Sequence, residues 1–397
     1  MTSGVSAAAE PNAAATEALR ARLRLLGTTF AVECPDEEFR RELERAWSRC
    51  IVDEPSSSDD GDVDFPLSEV GEAGVAGLLM RLTPRAIHHA VGQRLMVHAA
   101  GLVDDRGRVV ALVGRSGAGK TTAAVTLAKH NFGYVTDETV GVGESRQIAP
   151  FPRPLAQVDR ATGRKVQTSP DELGLRRAPA DLTLDRIVLL DRDTEPRPAS
   201  VESVPLLDGL MEIIPQTSGL VGLDRPLQRL CAVSQECGGL RRLSFHQIDD
   251  GVADLLRAVL TEPVADTEDW QPVADPVSDE PDISTGFLDG RVRRRHHRDA
   301  VRIDGEILLL VGSAPVRISG IGLTVWLESH EAPTIEQLVE AAVATHGPHP
   351  HAADLVREAV ATMAEAEVVA YGLPRAARDL LGPLSDTEAR PGARAAR

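Results

Sequence analysis

Residues 109–130 read VVALVGRSGAGKTTAAVTLAKH, and this stretch decides the fold. Val109–Val113 has the length and apolar character of a buried strand, while Thr121–His130 carries Ala, Val and Leu suited to a packed helix. Between them Gly114, Arg115, Ser116, Gly117, Ala118, Gly119, Lys120 and Thr121 fill every position of the pattern GxxxxGK[ST], with Thr122 next in line. A strand entering a glycine-rich turn and then a helix lets backbone N–H groups curl around phosphates at the positive end of the helix. Lys120 then reaches the β- and γ-phosphates, and the Thr121 hydroxyl sits on Mg2+. The expectation is an α/β P-loop domain that binds ATP and Mg2+.

Working outward, Met96–Val103 is an apolar β run joined to Val109–Val113 by the hairpin-type turn Asp104-Asp105-Arg106-Gly107. Gly133–Val142 reads as the β segment after the loop helix, and Arg186–Leu190 (RIVLL) as a buried strand. Asp250–Leu260 should be an amphipathic helix closing the domain. Upstream, Leu23–Cys34 reads as a strand region. Pro35–Arg49 reads as a helix with Phe39, Leu43 and Trp47 at helical spacing. A further helix is expected to begin at Pro84, a residue suited to the first helical position, with His88 and His89 on its surface.

Phosphoryl chemistry on such a loop needs a carboxylate for Mg2+ and, for a kinase, a base near the acceptor hydroxyl. Asp137 and Glu138 lie at or just beyond the β segment that follows the loop helix, in reach of Lys120. Asp191, with Asp193 behind it, stands after RIVLL where a second metal-binding acid is expected. His98 at a strand start and Arg153, bracketed by prolines in Pro150-Phe151-Pro152-Arg153-Pro154, are the remaining candidates. Arg153 would contact a phosphate or hold a rigid turn.

The order His98-Ala-Ala-Gly, turn, phosphate loop, Gly133-Tyr-Val-Thr-Asp137-Glu138 resembles the C-terminal catalytic domain of HPr kinase/phosphorylase. It looks closer still to the HPr-kinase-related P-loop proteins encoded with peptide-modification genes, to which the Pro150–Pro154 run is also similar. The resemblance spans roughly residues 82–155 and extends weakly to 260. It implies that Asp137 receives the proton of a serine hydroxyl and that Glu138 occupies the second place of an acid pair. It also implies that His98 lies near the transferred phosphate and that the protein forms a homo-oligomer.

After the linker a unit of about ninety residues differs in texture. Ala300–Ile303, Glu306–Val311 and Pro315–Ile318 read as strands, Gly320–Ser329, Thr334–His346 and His351–Ala366 as helices, and Val368–Tyr371 as a final strand. The runs from Val301 to Leu310, Ile318 to Trp326 and Thr334 to Leu338 resemble the PqqD-like fold, a three-stranded sheet followed by winged-helix-type helices. That resemblance implies a groove between Pro315–Ile318 and Ala352–Ala366 that takes a peptide as an added strand. The cluster Arg291, Arg293, Arg294, Arg295, His296, His297 and Arg298 precedes the first strand and reads as a solvated stretch or a partner of the acidic linker.

The chain has 397 residues, 42% of them hydrophobic, and a net charge of −17. Sixteen of its acids fall in two base-free stretches, 51–72 and 262–282, so the folded parts are near neutral and nucleic acid is not the expected partner. No apolar run reaches the ~18 residues of a membrane span, and no N-terminal signal pattern is present. Cys34, Cys50, Cys231 and Cys237 form no metal or disulfide pattern and read as reduced thiols of a cytoplasmic protein. Expected boundaries are a tail over 1–17 and a P-loop domain over 18–260 with an acidic loop at 51–72. An acidic Pro-rich linker over 261–286, a PqqD-like unit over 287–380 and a tail over 381–397 follow. The sequence leaves three functions open: a serine kinase acting on a peptide or protein, a nucleotide-gated peptide binder without phosphoryl transfer, and an ATP-responsive DNA-binding regulator.

Overall fold

The computed structural model describes residues 19–53, 61–71, 74–130, 132–158, 165–264, 269–273 and 290–372. Both expected tails, residues 54–60, and most of the expected linker lie outside the described residues. The chain opens with β1 (Arg20–Leu25), β2 (Thr28–Glu33), α1 (Glu37–Ala46), β3 (Val63–Phe65), α2 (Leu67–Val70) and α3 (Gly74–Ala90). β4 (Leu95–Val97), β5 (Ala99–Val103) and β6 (Arg108–Val113) lead into α4 (Lys120–Lys129). Next come β7 (Gly133–Thr136), β8 (Val140–Val142), β9 (Ile148–Ala149), β10 (Leu155–Val158), β11 (Lys165–Thr168), β12 (Thr183–Arg192) and β13 (Ser200–Val204). α5 (Leu206–Ile213), β14 (Thr217–Ser218), α6 (Pro226–Glu236), β15 (Leu240–Phe245) and α7 (Asp250–Thr261) complete this part. The remainder is β16 (Trp270–Pro272), β17 (Val292–Arg294), β18 (Asp299–Ile303), β19 (Glu306–Val311), β20 (Ala314–Ile318), α8 (Gly320–Glu328), α9 (Ile335–His346), α10 (Ala352–Glu365) and β21 (Val369–Tyr371).

The architecture is mixed α/β. The central sheet has the order β13-β15-β12-β6-β5-β7, with β6, β12 and β15 parallel and the outer strands antiparallel. Both faces of β6 are covered, which is why its sequence is a continuous apolar run instead of an alternation. On one face Val110, Leu112 and Val188 pack against Ala123 and Leu127 of α4 and Leu256 of α7. On the other, Ala111, Val113 and Leu189 meet Leu210 of α5 and Leu227 and Leu230 of α6.

A smaller sheet, β14-β4-β8-β9, adjoins it. The expected single strands Met96–Val103 and Gly133–Val142 are each broken in two, because the chain leaves one sheet for the other at His98 and again at Asp137–Thr139. The breaks lie side by side: Val97 pairs with Val140 before the corner and Gly101 with Thr136 after it. At the corner the Thr136 hydroxyl accepts the amides of Glu138 (3.1 Å) and Thr139 (3.4 Å), and Ala99 N donates to Glu138 O (3.2 Å). The two candidate acids and the candidate histidine therefore meet at one bend.

Three expectations outside the central sheet change. The helix expected to start at Pro84 starts at Gly74 and contains Pro84, since the apolar stripe Leu78, Leu82, Ala86, Ala90 runs through it while the proline faces solvent. The acidic loop 51–72 contains β3 and α2. Phe65 is buried, and Asp62 and Asp64 pair with Arg22 (2.7 Å) and Arg20 (2.9 Å) of β1. The linker contains β16, which pairs with β18, so the C-terminal sheet has four strands, β16-β18-β19-β20, where three were expected.

The C-terminal sheet is docked on the P-loop part. Ala300, Ile307 and Leu309 face Trp326, Leu338 and Val360 of α8–α10, whereas Val301, Ile303, Leu308 and Leu310 join the core around α6. Burial on both faces explains the unbroken Ile-Leu-Leu-Leu of β19. Asp299 seals the contact: its carboxylate accepts the free N-terminal amides of α6 at Leu227 (2.7 Å) and Gln228 (3.1 Å) and the Gln228 side chain (3.0 Å). The Trp270 indole donates to Gln235 (3.1 Å) beside it. The arginine run is solvated only in part, with Arg291, His296 and Arg298 exposed, and most of the acidic linker expected as its other partner lies outside the described residues. Arg294 lies 3.7 Å over the ring of the buried Trp326, Arg291 donates to Ala332 O, and Arg298 to Leu223 O.

Candidate active site

The phosphate loop runs from the end of β6 into α4. Gly117 (φ 85°) and Gly119 (φ 91°) take left-handed backbone conformations and have open space where a Cβ would stand, as a cradle for a ligand requires. Gly114 is fixed for a different reason: a Cβ there would lie 2.9 Å from Ala118 Cβ and 3.2 Å from Leu190 Cβ. Arg115, Ser116 and Thr122 are exposed, and Ala118 is partly buried at the loop's inner side. Lys120 is buried and folds back, its Nζ donating to Gly114 O (2.6 Å) and Arg115 O (3.2 Å). Burial pulls its ammonium below the ordinary lysine value, and the charges of Glu138 and Asp137 oppose that.

Thr121 is the hinge between loop and acids. Its hydroxyl donates to Asp137 Oδ2 at 2.9 Å, and the phenol of Tyr134 donates to Asp137 Oδ1 at 3.1 Å. Asp137 is 4% exposed and Tyr134 1%, so the Tyr134 bond is shielded from bulk water, while the Thr121 bond is partly buried. Burial, then the neighbouring Asp137 charge, pushes the Tyr134 phenol well above its ordinary range and keeps it a donor. Arg153 bridges both acids, with Nε 3.4 Å from Asp137 Oδ1 and Nη2 2.5 Å from Glu138 Oε2. His98 Nδ1 lies 3.3 Å from Glu138 Oε1, and its backbone N–H donates to Gln216 O at 2.6 Å. Burial pushes the Glu138 carboxyl up, but His98, Arg153 and Lys120 together outweigh it and hold the group below the ordinary glutamate value.

The structure thus brings together Lys120, Thr121, Asp137, Glu138, His98 and Arg153, which are scattered over 56 positions of sequence from His98 to Arg153 inclusive. Asp191 is not with them. It is exposed on the other flank of β6, in a cleft of ≈ 580 Å3 that it shares with Gly114, Arg115, Glu212, Gln216 and Arg242. There Arg242 pairs with Glu212 (2.7 Å), while Asp193 is held by Arg197. Sequence reasoning missed Tyr134, Glu212, Gln216 and Arg242. Tyr134 had one signal, its spacing three residues before Asp137; the others come from distant elements and had none.

The donors suit a triphosphate. For a hard divalent cation, Thr121 Oγ1, Asp137 and Glu138 supply oxygen ligands of the right kind, leaving places for phosphate and water. Among the described residues no group of three His, Cys, Asp or Glu converges as a self-sufficient metal cage. The four cysteines are free and buried, and burial pushes the Cys231 thiol up to about 12, so thiolate chemistry is absent from them at neutral pH. No helix among the described residues is long and apolar enough to cross a membrane.

No family model matches the chain, and no curated protein matches it. Among solved structures the chain is similar to the HPr(Ser) kinase/phosphatase from Coxiella burnetii, at 15% identity and a TM-score of 0.24. The match covers 41% of this chain and 94% of that one.

Proposed function

We propose that the protein is a Mg-ATP-dependent kinase that phosphorylates a hydroxyl, in the first instance a serine, on a peptide or protein held by its C-terminal unit. The observation that carries this reading is the buried Asp137 carboxylate, hydrogen-bonded to the hydroxyl of the residue that follows the loop lysine. Lys120 would exchange its two loop carbonyls for phosphate oxygens, and the backbone amides around Gly117 and Gly119 would hold the chain of phosphates. Mg2+ would neutralise charge on the β- and γ-phosphates, held by Thr121 with Asp137 or Glu138. Asp137 would orient the acceptor hydroxyl and take its proton as the oxygen bonds to the γ-phosphorus and ADP departs. Catalysis would come from positioning and charge neutralisation.

Delivery rests on the C-terminal sheet, which ends on β20 as an edge strand. Pro315 has no N–H and is tolerated there because no strand among the described residues pairs with its outer side. Beside it Val316, Ile318, Gly322, Leu355, Ala359 and Met363 line a groove of ≈ 340 Å3 between β20 and α10, where a peptide would add as a strand. Arg317 of β20 binds Asp208 of α5 (2.8 Å), and the segment after α5 ends at Gln216, against His98. Arg317 of the groove thus reaches α5, whose Glu212 lines the cleft. ATP chemistry and reduced thiols suit a cytoplasmic protein, and a homo-oligomer is carried over from the resemblance alone.

That link through α5 also favours a second reading, a nucleotide-gated peptide binder in which the loop changes groove affinity without phosphoryl transfer. Transfer of γ-labelled phosphate from Mg-ATP into an extract of the source cells separates the two, with Lys120→Ala and Asp137→Asn as controls. A labelled band made only by the wild type is the kinase outcome. ATP binding with no labelled band supports the gate instead.

A further inference from the structure

Arg153 is the feature that the kinase reading leaves without a settled task. Its side chain is 13% exposed and reaches both acids of the site at once. The backbone holds it there: Phe151, Pro152 and Pro154 are buried around it, and Arg153 N donates to Phe151 O (2.9 Å) in a tight turn. Yet its fit is incomplete. The Nε–H is buried and makes no hydrogen bond among the described residues, with Asp137 Oδ1 in ion-pair contact at 3.4 Å. A buried donor left in that state is held by charge alone and gains by moving to a better acceptor.

Charge counting shows what that acceptor is. Asp137 and Glu138 bring two negative charges, and Arg153 and Lys120 bring two positive ones, so the cluster is near neutral as it stands. A bare divalent cation entering it would add two uncompensated positive charges to a partly buried site and would have to displace a guanidinium from its partners. A metal–triphosphate complex brings its own negative charge, so the guanidinium released from the acids has phosphate oxygens to bind in a bidentate fork.

We infer that Arg153 is the resident counter-cation of the Asp137–Glu138 pair, excluding free divalent metal and passing to the phosphates when metal and nucleotide arrive together. This rests on the proposed ATP site, and it fixes an order: the metal enters with the nucleotide, not before it. Arg153 then serves as a positioning residue for the acids in the empty site and as a phosphate ligand in the filled one.

The test uses the full-length chain and Mn2+ alone, followed by the loss of the free-ion electron paramagnetic resonance signal. Wild type should bind Mn2+ weakly without nucleotide, and with ADP or ATP present should remove clearly more free Mn2+ than the same nucleotide does without protein. Arg153→Gln should bind Mn2+ without nucleotide at least tenfold more tightly than wild type, and adding Glu138→Gln to it should abolish the gain. A wild type that binds Mn2+ equally well with and without nucleotide overturns the inference, and this arm needs no variant to fold. An Arg153→Gln protein with wild-type circular dichroism and no gain overturns it too. Gain of Mn2+ binding in a protein that binds no nucleotide would sink the kinase reading and leave the counter-cation role standing.

Discussion

On the β7 flank of the phosphate loop, Asp137 is buried and both its oxygens face donors from Thr121, Tyr134 and Arg153. On the β12 flank, Asp191 is exposed at the rim of an open cleft, beside the Glu212–Arg242 pair. Both acids stand at the ends of apolar runs of one sheet, and the sequence offered Asp137 as the base and Asp191 as a metal ligand. Their difference comes from where each strand leaves its acid. Asp191 is still in β12, paired with β15 and open to the cleft, so it meets water, whereas β7 ends at Thr136 and the chain turns into a second sheet, folding Asp137 and Glu138 under Arg153 and His98. A buried, fully engaged carboxylate is positioned at little further entropic cost, which is what phosphoryl transfer asks of its base.

The largest effect that sharpens this contrast is expected at Lys120, which serves the loop whichever flank works. Lys120→Met should lower transfer about 10³-fold, measured by label incorporation, by analogy with loss of a preorganised charge-stabilising donor. A loss under tenfold would remove the loop itself from the chemistry. Next comes the docking of the C-terminal sheet. Asp299→Ala strips the α6 amides of their acceptors and should cost about 1–3 kcal/mol of stability, read as a lower denaturant midpoint in one shared transition. Two separate transitions already present in wild type would show the parts to be independent. For the same reason, a chain ended after Thr261 would bare the face of α6 that Val301, Ile303, Leu308 and Leu310 cover, so truncation does not isolate an intact P-loop domain.

A smaller effect is expected at Tyr134. Tyr134→Phe removes one donor from Asp137 and leaves the core filled, so turnover should fall by about fivefold to tenfold, equivalent to a hydrogen bond of about 1 kcal/mol. An unchanged rate would mean that Thr121 and Arg153 hold the carboxylate without it. The smallest effect concerns acid stability. Glu138 titrates lower folded than unfolded, so its contribution is full above the ordinary glutamate value of about 4.3 and is lost as pH falls through the lower folded value. Glu138→Gln should therefore be less stable than wild type at neutral pH, with the gap closing on acidification. A gap constant with pH would mean that the His98 and Arg153 contacts do not depend on the charge of Glu138.

How much of this could be read from the sequence follows the range of the forces involved. The loop and its flanking strand and helix were legible because one contiguous motif encodes them, and Asp137, Glu138, His98 and Arg153 were found as candidates one by one. That they touch was not legible, since it depends on two neighbouring strands bending together at His98 and at Asp137–Thr139, and the polar residues that interrupt each run there do not say which way the chain turns. The unbroken Ile-Leu-Leu-Leu of β19 did carry a signal of burial on both faces. What covered its second face was α6, some seventy residues earlier, and only the Asp299 cap and the shared core reveal it. Charge was the least legible property: the arginine run and the acids at 62 and 64 read as solvated, and tertiary contacts engage both.

The central claim is that the buried flank is the catalytic one, and slow hydrolysis of Mg-ATP tests it without knowledge of the acceptor. The rates of Asp137→Asn and Asp191→Asn should be compared with wild type under saturating ATP. The account requires Asp137→Asn to lose at least about 10²-fold, the usual scale for a positioned acid–base group, and Asp191→Asn to stay within tenfold. The reverse order, with Asp191 essential and Asp137 dispensable, would contradict it.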